Sequence, residues 1–169
     1  MTRSILTLTL VLLAIMASAQ ANSVKLYAYK EPVIGGAFPQ APVEEGGNSK
    51  EVQQKSRFNY LIYLASDTRI YPSEIWIDGH PYSAGMETVT APVTRQNFTA
   101  PGQPKMELVP ATGQRLVQLK PGPAITGKLS KEGRMLAASN EIVVVYKLNG
   151  KFYHVVQPAF KLLEPVALQ

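Results

Sequence analysis

Two histidines, His80 and His154, and a scattered set of carboxylates are the side chains here best suited to acid–base or metal chemistry. A protein metal site takes three or four histidine, cysteine or carboxylate ligands. The chain has no cysteine, and its histidines show neither HxH nor HxxxH spacing. His80 follows a turn and reads as a solvent-facing hairpin residue. His154 falls in a strand opposite Val145, where a half-buried, hydrogen-bonded histidine is the ordinary outcome. No metal and no cofactor is therefore assigned. Glycosidase chemistry needs two carboxylates facing each other, roughly 5 to 10 Å apart. Asp67 and Asp78 lie in turn sequences, where short acidic side chains cap backbone groups. Glu74 shares a strand face with Trp76 and Asp78, which makes it the place where a sugar would be bound or cleaved. Gly-x-Ser-x-Gly elbows, phosphate-cradling glycine loops and cysteine nucleophiles are all missing. No catalytic residue is assigned, and the chain is expected not to be an enzyme.

Two sets of residues remain as contact candidates. Lys120, Lys128, Lys131 and Arg134 cluster in a Gly/Pro-containing stretch opposed only by Glu132, forming a basic contact patch. The aromatic residues concentrate on a few strand-like runs, and Trp76 with Tyr82 is the pair chosen for stacking on a glycan. Cross-strand packing in a β domain explains the tyrosines equally simply.

The elements that must position these residues are short. Twelve glycines and 13 prolines punctuate the chain, and runs rich in Val, Ile, Tyr and Phe lie between them. That pattern predicts an all-β domain, a β-sandwich or a partly open barrel of about seven to nine strands. Strands are expected at 24–30, 58–65, 86–94, 105–109 and 115–119, with 160–163 closing the sheet. Residues 31–55, rich in proline and glycine, are expected to form a long irregular loop within a single domain spanning 22–169. Asp78-Gly79 and Asn149-Gly150 each suit a two-residue type I′ turn, which needs positive φ at both central positions. The second turn then sets Leu148 opposite Lys151, Tyr146 opposite Tyr153 and Val144 opposite Val155. The other face pairs Lys147 with Phe152, Val145 with His154 and Val143 with Val156. Both faces are apolar near Val143 and Val156, so this hairpin is expected to be central and covered on both sides. Pro81 lacks a ladder donor, which predicts an edge position for the second arm of the first hairpin. A helical turn at 130–138, capped by Ser130, is expected to be weakened by Gly133.

Location is the most legible property. Arg3, the apolar run from Ile5 to Met16 and the small-residue sites Ala17-Ser18-Ala19 and Ala19-Gln20-Ala21 compose an export signal over residues 1–21. The run is shorter than the roughly 20 residues of a spanning helix. No later segment is longer, so no transmembrane segment is expected after cleavage. Without cysteine the exported chain has neither disulfides nor the residue that bacterial lipoproteins acylate. Asn97-Phe98-Thr99 matches the glycosylation sequon. Without Arg3 the chain has 16 basic and 12 acidic residues, a net +4. This mild excess suits an anionic surface or polymer and lacks the concentrated stripe of a nucleic-acid binder.

Asn59-Tyr60-Leu61-Ile62-Tyr63-Leu64, Arg69-Ile70-Tyr71-Pro72, Ile75-Trp76-Ile77 and the hairpin from Glu141 to Tyr153 resemble small exported proteins of unassigned function in Bacteroidetes. The resemblance implies a periplasmic or secreted envelope protein and transfers no catalytic residue. The function expected is contact with an envelope protein or an anionic surface polymer. The alternative is a small hydrolase or binding module for envelope glycans.

Overall fold

A computed structural model describes residues 24–33, 58–96 and 105–164. The export signal, the Asn97 sequon and residues 34–55 of the expected loop lie outside the described residues. The described chain is mostly β. Its strands are β1 (Lys25–Pro32), β2 (Phe58–Ser66), β3 (Tyr71–Ile77), β4 (His80–Val89), β5 (Val93–Arg95), β6 (Met106–Val109), β7 (Arg115–Ala124), β8 (Ile142–Leu148), β9 (Lys151–Gln157) and β10 (Lys161–Leu162). One helix, α1 (Lys131–Ala137), precedes β8. Eight strands form one sheet in the order β10-β1-β2-β7-β4-β3-β8-β9, while β5 and β6 pair separately. The large sheet curls into a half-barrel, the more open of the two expected architectures.

Side-chain alternation explains the curl. Ala28, Ile62, Leu64, Ile75, Ile77, Leu119, Val144 and Tyr146 point to one face and make a single buried cluster. They come from strands in both halves of the sheet, which must bend toward each other to exclude water from them. The opposite, convex face is covered in two places. Tyr29, Tyr63, Ala65 and Leu116 pack with Leu108 and Val109 of β6 and with Leu163. Trp76, Val143 and Val145 lie beneath α1 and its residue Ala137. Burial on both faces accounts for the nearly continuous apolar runs of β2 and β8.

Both hairpins form in the expected registers. Asp78 and Gly79 have φ of 49° and 77°, Asn149 and Gly150 of 49° and 81°, the pattern a type I′ turn demands. The placement of the hairpins differs from expectation. The second one is not central: β8 is interior, but β9 is the last strand of the sheet and mostly exposed. The apolar convex face of β8 is covered by the helix rather than by further strands. The arm carrying Pro81 is not at an edge, since β4 lies between β3 and β7. Ile77 and His80 exchange hydrogen bonds next to the turn, so the following pair, Trp76 and Pro81, is non-hydrogen-bonded and needs no donor there. On its other side Pro81 offers only its carbonyl, which accepts from Ile125 N at 3.0 Å. The strand expected at 86–94 is split, its first part continuing β4 and its second forming β5. The strand β1 also runs two residues into the expected loop, pairing Glu31 with Asn59 and Pro32 with Phe58.

The half-barrel is tied at one end. Glu141, just before β8, accepts from Lys30 Nζ of β1 and from Phe160 N before β10, both at 2.9 Å through the same carboxylate oxygen. Its own N–H donates to Pro158 O, and its carbonyl accepts from Asp78 N. Gln157 Nε2 reaches Ala28 O at 3.1 Å, and β10 then pairs parallel with β1. The Phe160 N–H, followed by Lys30, holds the Glu141 carboxyl below the usual glutamate range. A depressed folded-state value means that the seam stabilises fully above the ordinary glutamate pKa, about 4.3, and is lost as pH falls through the lower folded value. Glu141→Gln should therefore cost on the order of 1 kcal/mol at neutral pH, a charge-assisted bond reduced by partial solvent exposure. In urea titrations from pH 7 to pH 3 the gap between wild type and variant should narrow; parallel curves would contradict the seam.

Candidate functional site

One group of described polar side chains, Glu74, Ser130, Glu132 and His154, converges on the start of α1. Seven residues are too few for a helix to persist alone in water, so its contacts decide its existence. Ser130 is the N-cap, and its Oγ accepts from Gly133 N at 3.0 Å. Ser130 N donates to Glu74 Oε1 at 3.0 Å, and the other oxygen of that carboxylate accepts from Trp76 Nε1 at 2.9 Å. A buried indole N–H needs such an acceptor, and Trp76 is only 3 % exposed. At the far end Asn140 Nδ2 donates to Leu136 O at 2.8 Å. Glycine at 133 is not a weak point but a requirement. A Cβ there would lie 2.9 Å from Trp76 Nε1 and 3.1 Å from Val145 Cγ2.

His154 completes the cluster. Its Nε2 lies 3.3 Å from Ser130 Oγ, and its Nδ1 lies 3.6 Å from Glu132 Oε2. Serine, histidine and carboxylate in this order match a nucleophile, its base and the group that orients the base. In this set, however, the hydroxyl already caps the helix. The Glu132 carboxylate is 69 % exposed and beyond hydrogen-bond distance. These groups bind α1 to the sheet. Ser130 was legible as a cap from its place before the helix, but a partner 24 residues away carries no sequence signal.

The residues selected from sequence separate. Trp76 is beneath α1, where no sugar ring reaches its faces, and Glu74 has both oxygens engaged. Tyr82 is half-buried against the concave core. Lys120 is on β7, its Nζ 2.5 Å from Glu87 Oε2 of β4, and this contact lowers the Glu87 pKa. Lys128, Lys131 and Arg134 are exposed on α1 and its approach. His80 is exposed beside the first turn, and no group of three histidine or carboxylate side chains among the described residues has metal-binding geometry. No described helix is long and apolar enough to cross a membrane.

A second feature lies beside this cluster. Among the described residues no strand pairs with the outer edge of β9. Since Leu148–Lys151 is the bonded pair at the turn, alternation turns the N–H and C=O of Phe152, His154 and Val156 outward. Phe152 is 62 % exposed, Tyr153 42 % and Val156 39 %. Tyr71, Lys147 and Phe152 form an exposed row across β3, β8 and β9, with Lys147 Nζ 5.9 Å from the Phe152 ring centroid. Tyr153 stacks on Tyr146 on the concave side, ring centroids 5.9 Å apart.

Compared with protein families, curated proteins and solved structures, the chain matches none.

Trp76 is the chain's only tryptophan, so its emission reports whether α1 is docked. Gly133→Ala should gain about 1 kcal/mol in helix propensity but lose more, about 1–3 kcal/mol net, through overpacking on Trp76 and Val145. Urea unfolding should show this loss together with a red-shifted native emission. A variant more stable than wild type, with unchanged emission, would contradict the docking.

Proposed function

We propose that this chain is an exported, non-enzymatic envelope protein that acts by contact, through the outer edge of β9. One observation carries the proposal: β9 offers unpaired backbone groups beside exposed Phe152, Tyr153 and Val156. Exposed edges of this kind are normally shortened, bulged, covered or guarded by charge, and they are the element used in β-augmentation. Lys151 stands at the start of the strand, but the next residues are aromatic. The groups able to do acid–base chemistry, Glu74, Ser130 and His154, hold α1 in place, which favours contact over hydrolysis. Export rests on the leader-like residues 1–21, and the basic excess favours an anionic partner.

Photo-crosslinking in intact cells tests this reading. A photoreactive phenylalanine at Phe152 should give discrete adducts. The same group at Met86, exposed on β4 opposite Leu119 of β7, should give few. Mass spectrometry of the exported protein should find its first residue after Ala19 or Ala21. Equal or absent adducts at the two positions would overturn the proposed surface. Peptidoglycan cleavage by the purified protein, abolished by Glu74→Gln, would establish the glycan hydrolase instead.

A further inference from the structure

We infer that the occupant of the β9 edge is an extended acidic segment of another protein, with carboxylate and apolar side chains alternating. This rests on β9 being the contact surface and adds the chemistry of what binds there. The edge is open only in part. At its C-terminal end Gln157 Nε2 bonds to Ala28 O, and the chain crosses toward β10, so the seam closes the gap between β9 and β1. Toward the Asn149-Gly150 turn no described strand pairs with β9. A strand added there would cover Lys151 to Val155 and meet the outward N–H and C=O groups of Phe152 and His154.

The two faces of such a strand would meet different surroundings. On the concave side its neighbours are Tyr153, stacked on Tyr146, and Val155, which packs against the main core. Apolar side chains suit that face. On the convex side its neighbours are Phe152 and His154, beneath Lys147 and the start of α1. His154 touches Ser130, the cap of α1, and exposed Lys128, Lys131 and Arg134 lie within four residues of that cap along the chain. None of these three has an acidic partner among the described residues, and Lys147 is engaged only with the Phe152 ring. Lys151 adds charge at the turn. Two acids share this corner among the described residues: Glu74 has both oxygens engaged beneath α1, and Glu132 faces His154. Carboxylates on alternate positions of the incoming strand would answer these cations. A second copy of this chain would instead bring two such basic corners together and is disfavoured by repulsion.

The test uses the exported-length protein and fluorescein-labelled peptides of about nine residues, read by anisotropy. An alternating Glu/Val peptide should bind. Its affinity should fall about tenfold between 50 mM and 500 mM salt, because the contacts are surface ion pairs. Phe152→Pro removes the outward N–H where proline is tolerated, while Phe152→Ala removes the ring and keeps the N–H. The proline variant should bind about tenfold more weakly than the alanine variant. Matching thermal unfolding of the two variants would show that both fold. The double variant Lys131→Glu/Arg134→Glu should also lose binding. Equal binding of poly-glutamate, or of a peptide with the same residues in blocks, would overturn the proposal in favour of a polyanion surface. Dimerisation in ultracentrifugation, abolished by Phe152→Pro but not by Phe152→Ala, would overturn it in favour of a second copy. Crosslinks at Phe152 in cells without any peptide binding would sink the acidic strand while leaving β9 as the contact surface. Absent crosslinks would remove that surface itself.

Discussion

The carboxylate of Glu141 ties three parts of the chain that are distant in sequence, and the open shape of the sheet depends on it. Through Lys30 and Phe160 N it joins the first strand to the crossing that follows β9, while its backbone joins the β3–β4 turn to Pro158. The curl itself is driven by burial of the concave cluster, a non-directional force. The ionic and backbone contacts decide where the curl stops. They close the sheet at the Gln157 end and leave the Lys151 end of β9 without a described partner. A curled sheet with one closed and one open end has a polarity that a flat sandwich lacks, and the proposed contact surface at β9 lies at its open end.

The same logic governs the helix. A seven-residue segment survives because it covers Trp76, Val143 and Val145 and because a glycine lets it approach the indole closely. Its cap, the carboxylate beneath it and His154 are each engaged in holding it there. What resembles catalytic material in a list of residues is, in three dimensions, the fastening of a lid on the convex face. One consequence is positional: the fastening holds the N-terminal end of α1 beside His154 of β9. Structure and electrostatics at this corner are therefore coupled through Ser130 and His154.

Legibility in the sequence followed the range of the interaction. The turns and registers of both hairpins were readable because Asp-Gly and Asn-Gly impose local backbone geometry, and a two-residue loop leaves no freedom in pairing. Ser130 was readable as a cap for the same reason. The order of strands was not. The apolar convex face of β8 called for a cover without saying what supplies it; a helix does, and periodicity does not distinguish a helix cover from a strand cover. Pro81 looked like an edge residue because it removes a ladder donor, although alternation leaves no bond to make on the Trp76 side and its carbonyl accepts from Ile125 N on the other. Gly133 looked like a flaw because helix propensity is local, while its reason for being glycine lies on β3 and β8. Of the basic residues, Lys128, Lys131 and Arg134 lie on α1 and its approach, while Lys120 belongs to a strand and answers Glu87, a partner 33 residues away that carries no sequence signal.

The central claim is that the edge of β9 is free, and amide hydrogen exchange of the isolated protein tests it most directly. The account predicts an alternating pattern along one strand. Amides of Tyr153 and Val155, bonded to β8, should be strongly protected, and those of Phe152 and His154, turned outward, should exchange rapidly. Protection of Phe152 and His154 equal to that of Tyr153 would show that the edge is already covered, and would contradict the claim.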